Sequence, residues 1–243
     1  MDTVYSQLKS MPRTLEGNFW HKKIYPYQVW LDGLYMAQPF YMEYETKYNR
    51  MRFCIDSFLQ FENVERIMRD TNTGLYYHGY DESRRSIWCD TKTGLSKNFW
   101  LRSIGWFILS LVDTALVIDE SLYYEFRRLK EMLYNLANDL LRFQDESGMF
   151  YQLVDRKGDK DNYIETSGSA LISYAFLKAA RNKLLPKRFE DIGKKIFDGI
   201  LDRYLCVEGE ELSLGGICLV AGLGGKENRD GSTEYYYLSL IHI

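Results

Sequence analysis

The sequence predicts an all-α protein whose helical hairpins close into an (α/α) toroid. Three observations carry this prediction. Helices apolar on one face alternate with helices apolar on nearly every face. The connections repeat a glycine turn followed by a short aromatic run. The repeat is also too long for a solenoid of small helix pairs.

The elements follow in order. A short outer helix is expected near 3–10, then "EGNFWHKK" (16–23), a turn at Gly17 leading into a strand-like run. Residues 29–42 read as an inner helix, apolar almost all round, and 47–69 as an outer helix with a ragged amphipathic pattern. "TGLYYHGYD" (73–81) repeats the turn and run. Residues 99–118, "FWLRSIGWFILSLVDTALVI", are apolar on so many faces that neighbours must cover them on all sides. Over 122–144, Phe126, Leu129, Leu133, Leu136 and Leu140 recur at three- and four-residue spacing among charges, the signature of an amphipathic outer helix. "SGMFYQLVD" (147–155) is the third turn and run, and 166–180 the third inner helix. Residues 187–205 form another outer helix through Phe189, Ile192, Ile196, Ile200 and Tyr204. "DGSTEYYYL" (230–238) is the fourth run. The turn glycines Gly17, Gly74, Gly148 and Gly231 lie 57, 74 and 83 residues apart. Units of outer helix, strand, loop and inner helix cannot bury their inner helices singly, so they must close around a common axis.

Composition narrows the function. A net charge of −3 gives no attraction to phosphate backbones, which argues against nucleic acid. Aromatics are unusually dense, 16% with 20 tyrosines, and suit either sugar faces or helix packing. The four cysteines, Cys54, Cys89, Cys206 and Cys218, are scattered and read as free thiols, and three histidines are too few for a His-rich metal site. No apolar run reaches membrane-spanning length and no signal peptide follows Met1. A cytoplasmic address is the expectation, conditional on Met1 being the natural start.

The mouth of a helical toroid lies where loops run into inner-helix N-termini. Lys22, Asp32, His78, Trp100, Arg102 and Trp106 all fall there. Each also has a plainer role: Asp32 as a first-turn or capping carboxylate, His78 as a hydrogen-bonded structural histidine. Arg102 inside an apolar helix needs an anion, from protein or ligand. Trp100 and Trp106, six residues apart, diverge around the helix axis. Asp81, followed by charged residues, reads as a solvated or salt-bridged loop residue; Glu165 and Thr166 read as a helix cap or as substrate contacts.

"GNFWHKKIYPYQVWLDGLYM", "YYHGYDES", "TGLSKNFWLRSIGW", "YIETSGSALISYAF" and "RDGSTEYYYLS", in this order, resemble the unsaturated rhamnogalacturonyl hydrolases of glycoside hydrolase family 105. These are six-hairpin (α/α)6 toroids, and the resemblance spans nearly all of residues 12–239. It implies that Asp32 is the general acid and base, and that Lys22, Trp30, His78, Trp100, Arg102 and Trp106 surround an unsaturated sugar. The implied partner is an oligosaccharide whose non-reducing uronic acid carries a C4=C5 bond. That bond is a vinyl ether, so protonation at C4 and addition of water at C5 release the sugar with one carboxyl group serving twice. This differs from two-carboxylate glycosidases. Desolvation by Trp30 is expected to raise the Asp32 pKa. Arg102 or Lys22 would hold the substrate carboxylate, on the far side of the sugar from Asp32. No metal or cofactor is called for. Two alternatives stand beside this: an unsaturated glucuronyl hydrolase acting on glycosaminoglycan or ulvan-type fragments, and a non-catalytic sugar-binding toroid or helical scaffold.

The resemblance also implies parts beyond this chain: an upstream aspartate and aromatic residue before Met1, and a last inner helix. Only seven helices are read here, where six closed hairpins need twelve. The expectation is therefore a single partial toroid over 1–243. Residues 238–243, "LSLIHI", read as the translation of a transposon-end adapter, which would leave His242 without a function.

Overall fold

The computed structural model of the chain describes residues 1–209, 211–225 and 229–241. His242 lies outside the described residues. Four outer helices are α1 (Asp2–Lys9), α3 (Cys54–Met68), α5 (Tyr123–Leu141) and α7 (Arg188–Tyr204); three inner helices are α2 (Leu31–Tyr48), α4 (Leu101–Val117) and α6 (Thr166–Arg181). The inner helices pack side by side, α2 on α4 and α4 on α6, with α3, α5 and α7 behind them. This is the hairpin arrangement of the (α/α)6 toroid.

Burial follows the sequence pattern. Twelve of the 17 residues of α4 are buried. On α5 only one stripe is buried, including Leu129, Leu133, Leu136 and Leu140. Each such aliphatic side chain, removed from water, contributes about 1.5–3 kcal/mol. Among the described residues no helix is long and apolar enough to cross a membrane.

The connections hold short antiparallel pairs. β1 (Gln28–Trp30) pairs with β2 (Gly79–Asp81), setting Trp30 against Gly79, and β3 (Phe150–Tyr151) pairs with β4 (Ile164–Glu165). One hydrogen bond recurs at every inner helix. The first-residue amide has no partner within its own helix, and it donates to a carbonyl of the next repeat: Leu31 to His78 (3.1 Å), Leu101 to Gln152 (3.0 Å) and Thr166 to Gly216 (2.8 Å). Each inner-helix start is thereby fixed to the strand segment that follows it around the ring.

Two segments differ from the sequence reading. Within 230–238 the aromatic run is not a strand but a five-residue helix, α8 (Thr233–Tyr237), because the Ser232 hydroxyl accepts the Tyr235 amide and starts a helical turn. A hairpin of β5 (Leu205–Glu208) and β6 (Glu211–Leu214) continues directly from α7, turning at Gly209 with φ +65°. β7 (Ile217–Cys218) pairs with β8 (Leu240–Ile241).

The seam between α4 and α6 depends on glycine. A Cβ at Gly168 would stand 2.5 Å from Leu101 Cγ and 3.0 Å from the Arg102 amide, and one at Gly105 would stand 2.9 Å from Leu171 Cβ. Both helices therefore approach at backbone distance just where Arg102 leaves α4. Gly168→Ala is expected to lower the unfolding free energy by about 1–3 kcal/mol despite alanine's better helix propensity. Urea-induced unfolding measures this; an unchanged or raised midpoint would show that the seam has room.

Candidate active site

The mouth is built on an aromatic cluster distinct from the main core. Trp30, Trp88, Trp100, Leu153, Leu223 and Tyr236 are all buried within it. Trp30 closes β1 in extended conformation and α2 begins at the next residue, which places Asp32 in the first helical turn. A carboxylate there is favoured by the positive end of the helix. Trp100 plays the corresponding part ahead of α4.

Asp32 and His78 meet across the cluster. His78 Nε2 lies 3.5 Å from Asp32 Oδ2, with the histidine wholly buried and the aspartate side chain 18% exposed. Among the described residues neither atom has a hydrogen-bond partner. The His78 ring is gripped by Trp30 edge-on at 5.5 Å and by Trp100 at 4.6 Å, and its Nδ1 is hydrogen-bonded to the Tyr236 hydroxyl at 2.8 Å. On its other side Trp30 stacks on His21 at 4.2 Å and on Tyr25 at 5.0 Å, while its Nε1 donates to Gln28. Trp30 and Trp100 thus spend most of their faces on protein neighbours, as walls around His78.

Asp32 departs from expectation. Burial does push its carboxyl up, but the facing His78 ring, with His21 beyond, outweighs it and holds the pKa below the usual aspartate value. Desolvation by Trp30 was expected to dominate; the facing histidine reverses the sign. Burial pulls His21 down to about 4, so near neutrality that ring is uncharged and its share of the effect falls away.

Arg102 finds its anion within the protein. Its guanidinium lies 3.7 Å from the wholly buried Glu165 and over the Trp100 ring at 5.6 Å. Nε donates to Ser167 Oγ at 2.6 Å, and the terminal nitrogens donate to the carbonyls of Cys218 and Leu219. With five N–H groups available, each terminal nitrogen retains a second one. Glu165 is a helix cap: it accepts from the amides of Ser167, Gly168 and Cys218.

Contacts therefore run from Asp32 through His78 and Trp100 to Arg102. Trp106 lies apart, half-buried a turn deeper and packed on Tyr35 of α2 at 4.8 Å. Lys22 is exposed and borders a cavity of about 210 Å³ shared with His21, Trp30 and Gly33. His21, Gln152 and Tyr236 belong to the mouth although the residue-by-residue reading did not single them out; "HKK" ahead of the first inner helix, the third run "SGMFYQLVD" and the "YYY" run were their traces.

A helical toroid with a carboxylate facing a histidine among aromatic rings is the class that fold and mouth define. The family model for Glycosyl Hydrolase Family 88 matches residues 1–240, and the chain belongs to that family. It is 35% identical over 209 residues to Protein Atu3128 of Agrobacterium fabrum, covering 83% of this chain and 88% of that one. It is 31% identical over 179 residues to the unsaturated rhamnogalacturonyl hydrolase YesR of Bacillus subtilis, covering 72% of this chain but 49% of YesR. A solved glycoside hydrolase from family 105 of C. acetobutylicum superposes with a TM-score of 0.94 at 40% identity, over 99% of this chain and 67% of its own.

Asp81 requires a correction. It is not solvated or salt-bridged but buried, accepting from the amides of Ser83 (2.9 Å), Arg85 (3.2 Å) and Ser86 (2.9 Å) and from the Ser83 hydroxyl. Burial acts upward on its pKa, yet these bonds hold it below the ordinary value. A depressed folded pKa gives stability present above the unfolded value, about 3.9, and lost as pH falls through the folded one. Asp81→Ala is expected to cost about 1–3 kcal/mol at pH 7, with the gap to wild type narrowing below about pH 4. Urea titrations at both pH values measure it; a gap that widens in acid would contradict this role.

Proposed function

We propose that this chain provides the catalytic mouth of a glycoside hydrolase acting on oligosaccharides that end in unsaturated galacturonic acid, such as a lyase leaves on rhamnogalacturonan. The observation that carries the reading is the Asp32–His78 pair. Two polar atoms that find no hydrogen-bond partner among the described residues, from segments 46 residues apart in the chain, face each other across 3.5 Å at an aromatic opening. The identity to YesR supports the substrate class.

In this mechanism Asp32 gives its proton to C4 of the C4=C5 bond, and positive charge develops at C5, shared with the ring oxygen. Water adds to C5 while the carboxylate takes back a proton. The resulting hemiketal opens and frees the neighbouring sugar. A proton donor held below the usual aspartate range is poorly charged for the first step. An anionic uronate beside Asp32, and expulsion of water, both act upward on its pKa. Arg102, beyond Trp100 and His78, and Lys22 at the rim offer cations for the uronate carboxylate away from Asp32. Trp30 and Trp100 confine the sugar's edge, and Trp106 offers a face deeper in the ring.

Loss of the ultraviolet absorbance of the conjugated uronate follows the reaction directly. Wild type is expected to consume a pectin-derived unsaturated disaccharide, with Asp32→Asn slower by about 100- to 10,000-fold. Turnover confined to glycosaminoglycan-derived disaccharides would move the substrate class, and wild-type rates in the Asn variant would remove Asp32 from the chemistry.

A further inference from the structure

We propose that Tyr236 is a positioning residue that fixes His78 as the neutral tautomer carrying its proton on Nε2, so that this N–H is always the group presented to Asp32. The inference deepens the reading above and rests on it for its catalytic consequence, but not for the tautomer itself.

The argument is a count of protons and lone pairs. Tyr236 is wholly buried, and burial holds its phenol far above the ordinary value, so the hydroxyl keeps its proton. Among the described residues that hydroxyl has one hydrogen-bond partner, His78 Nδ1, at 2.8 Å. A buried O–H must donate somewhere, and Nδ1 is the acceptor in reach. Nδ1 is then unprotonated, and the single proton of a neutral imidazole sits on Nε2. Both other forms, the Nδ1–H tautomer and the imidazolium, would point N–H at O–H and leave the phenol proton without an acceptor. The ring cannot turn away from this choice, because Trp30 and Trp100 pack against it.

The consequence appears 3.5 Å away. An Nε2–H facing Asp32 Oδ2 favours the carboxylate when it is ionised and cannot accept its proton when it is not. The acid's proton is therefore left to the substrate, and the returning carboxylate finds a donor waiting. The other tautomer would set a lone pair against a carboxylate. Tyr236 reaches this position from α8, 158 residues beyond His78 in the chain, so the mouth acquires its proton arrangement only when α8 has docked.

The chain has only three histidines, which makes the test direct. Long-range proton–nitrogen correlation spectra of nitrogen-15-labelled protein near neutral pH, without substrate, should show His78 with a bare Nδ1 and a protonated Nε2. Loss of one signal set in His78→Gln assigns it. Tyr236→Phe removes only the hydroxyl and should turn the pattern into a mixture of both neutral tautomers. With the unsaturated disaccharide, the same variant should lose about 10- to 100-fold in kcat, the range seen when a metal-bound histidine loses its outer partner, with KM nearly unchanged. An Nδ1–H or doubly protonated His78 in wild type, an unaltered spectrum in Tyr236→Phe, or an unaltered kcat would each overturn the proposal. The spectrum needs no turnover, so a wrong substrate and a wrong tautomer give different results.

Discussion

The hydrogen bond from each inner-helix start to the next repeat's strand is the constraint on which the mouth depends. Leu31 to His78, Leu101 to Gln152 and Thr166 to Gly216 are the same bond made three times. It satisfies an amide that helix geometry leaves orphaned, and in doing so fixes the height of one repeat against the next. Because Asp32 follows Leu31 immediately, and the His78 carbonyl is the acceptor, one bond sets both halves of the carboxylate–histidine pair. The loops between strand and helix are free of this duty, which accounts for the uneven spacing of the repeats.

Around that frame, polar groups are placed by aromatic packing more than by charge. Trp30 and Trp100 are 5% and 4% exposed, too covered to act chiefly as open stacking platforms. Their indoles hold His78 in plane, and Tyr236 completes the enclosure. The electrostatics of Asp32 follow from this enclosure: water is scarce, so a single facing histidine outweighs desolvation. Arg102 is balanced in the same manner by Glu165 and by backbone carbonyls, leaving a cation that is anchored rather than loose.

Helix order and the alternation of inner and outer helices were legible because 3.6-residue periodicity and all-round apolarity are local properties. Asp32, His78, Trp100 and Arg102 could be placed at one mouth once the repeat was seen. What could not be read depended on partners distant in sequence. The sign of the Asp32 shift needed the His78 distance. The anion for Arg102 needed a glutamate 63 residues away. Asp81 looked solvated because its neighbours are charged, yet its own side chain turns inward onto backbone amides. The helix α8 was hidden because tyrosines favour strands, and one capping serine reversed that preference locally.

The glycine seam between α4 and α6 has a mechanical consequence. Gly168 and Gly105 let the two backbones touch, and Leu101 and Leu171 already lie hard against them, so this seam has little room left to compress. Where α2 meets α4, the long side chains of Tyr35 and Trp106 fill the gap instead and can swing about their χ angles. Breathing of the ring would then be borne unevenly, with the α4–α6 seam acting as an anvil and the neighbouring α2–α4 seam as the moving jaw.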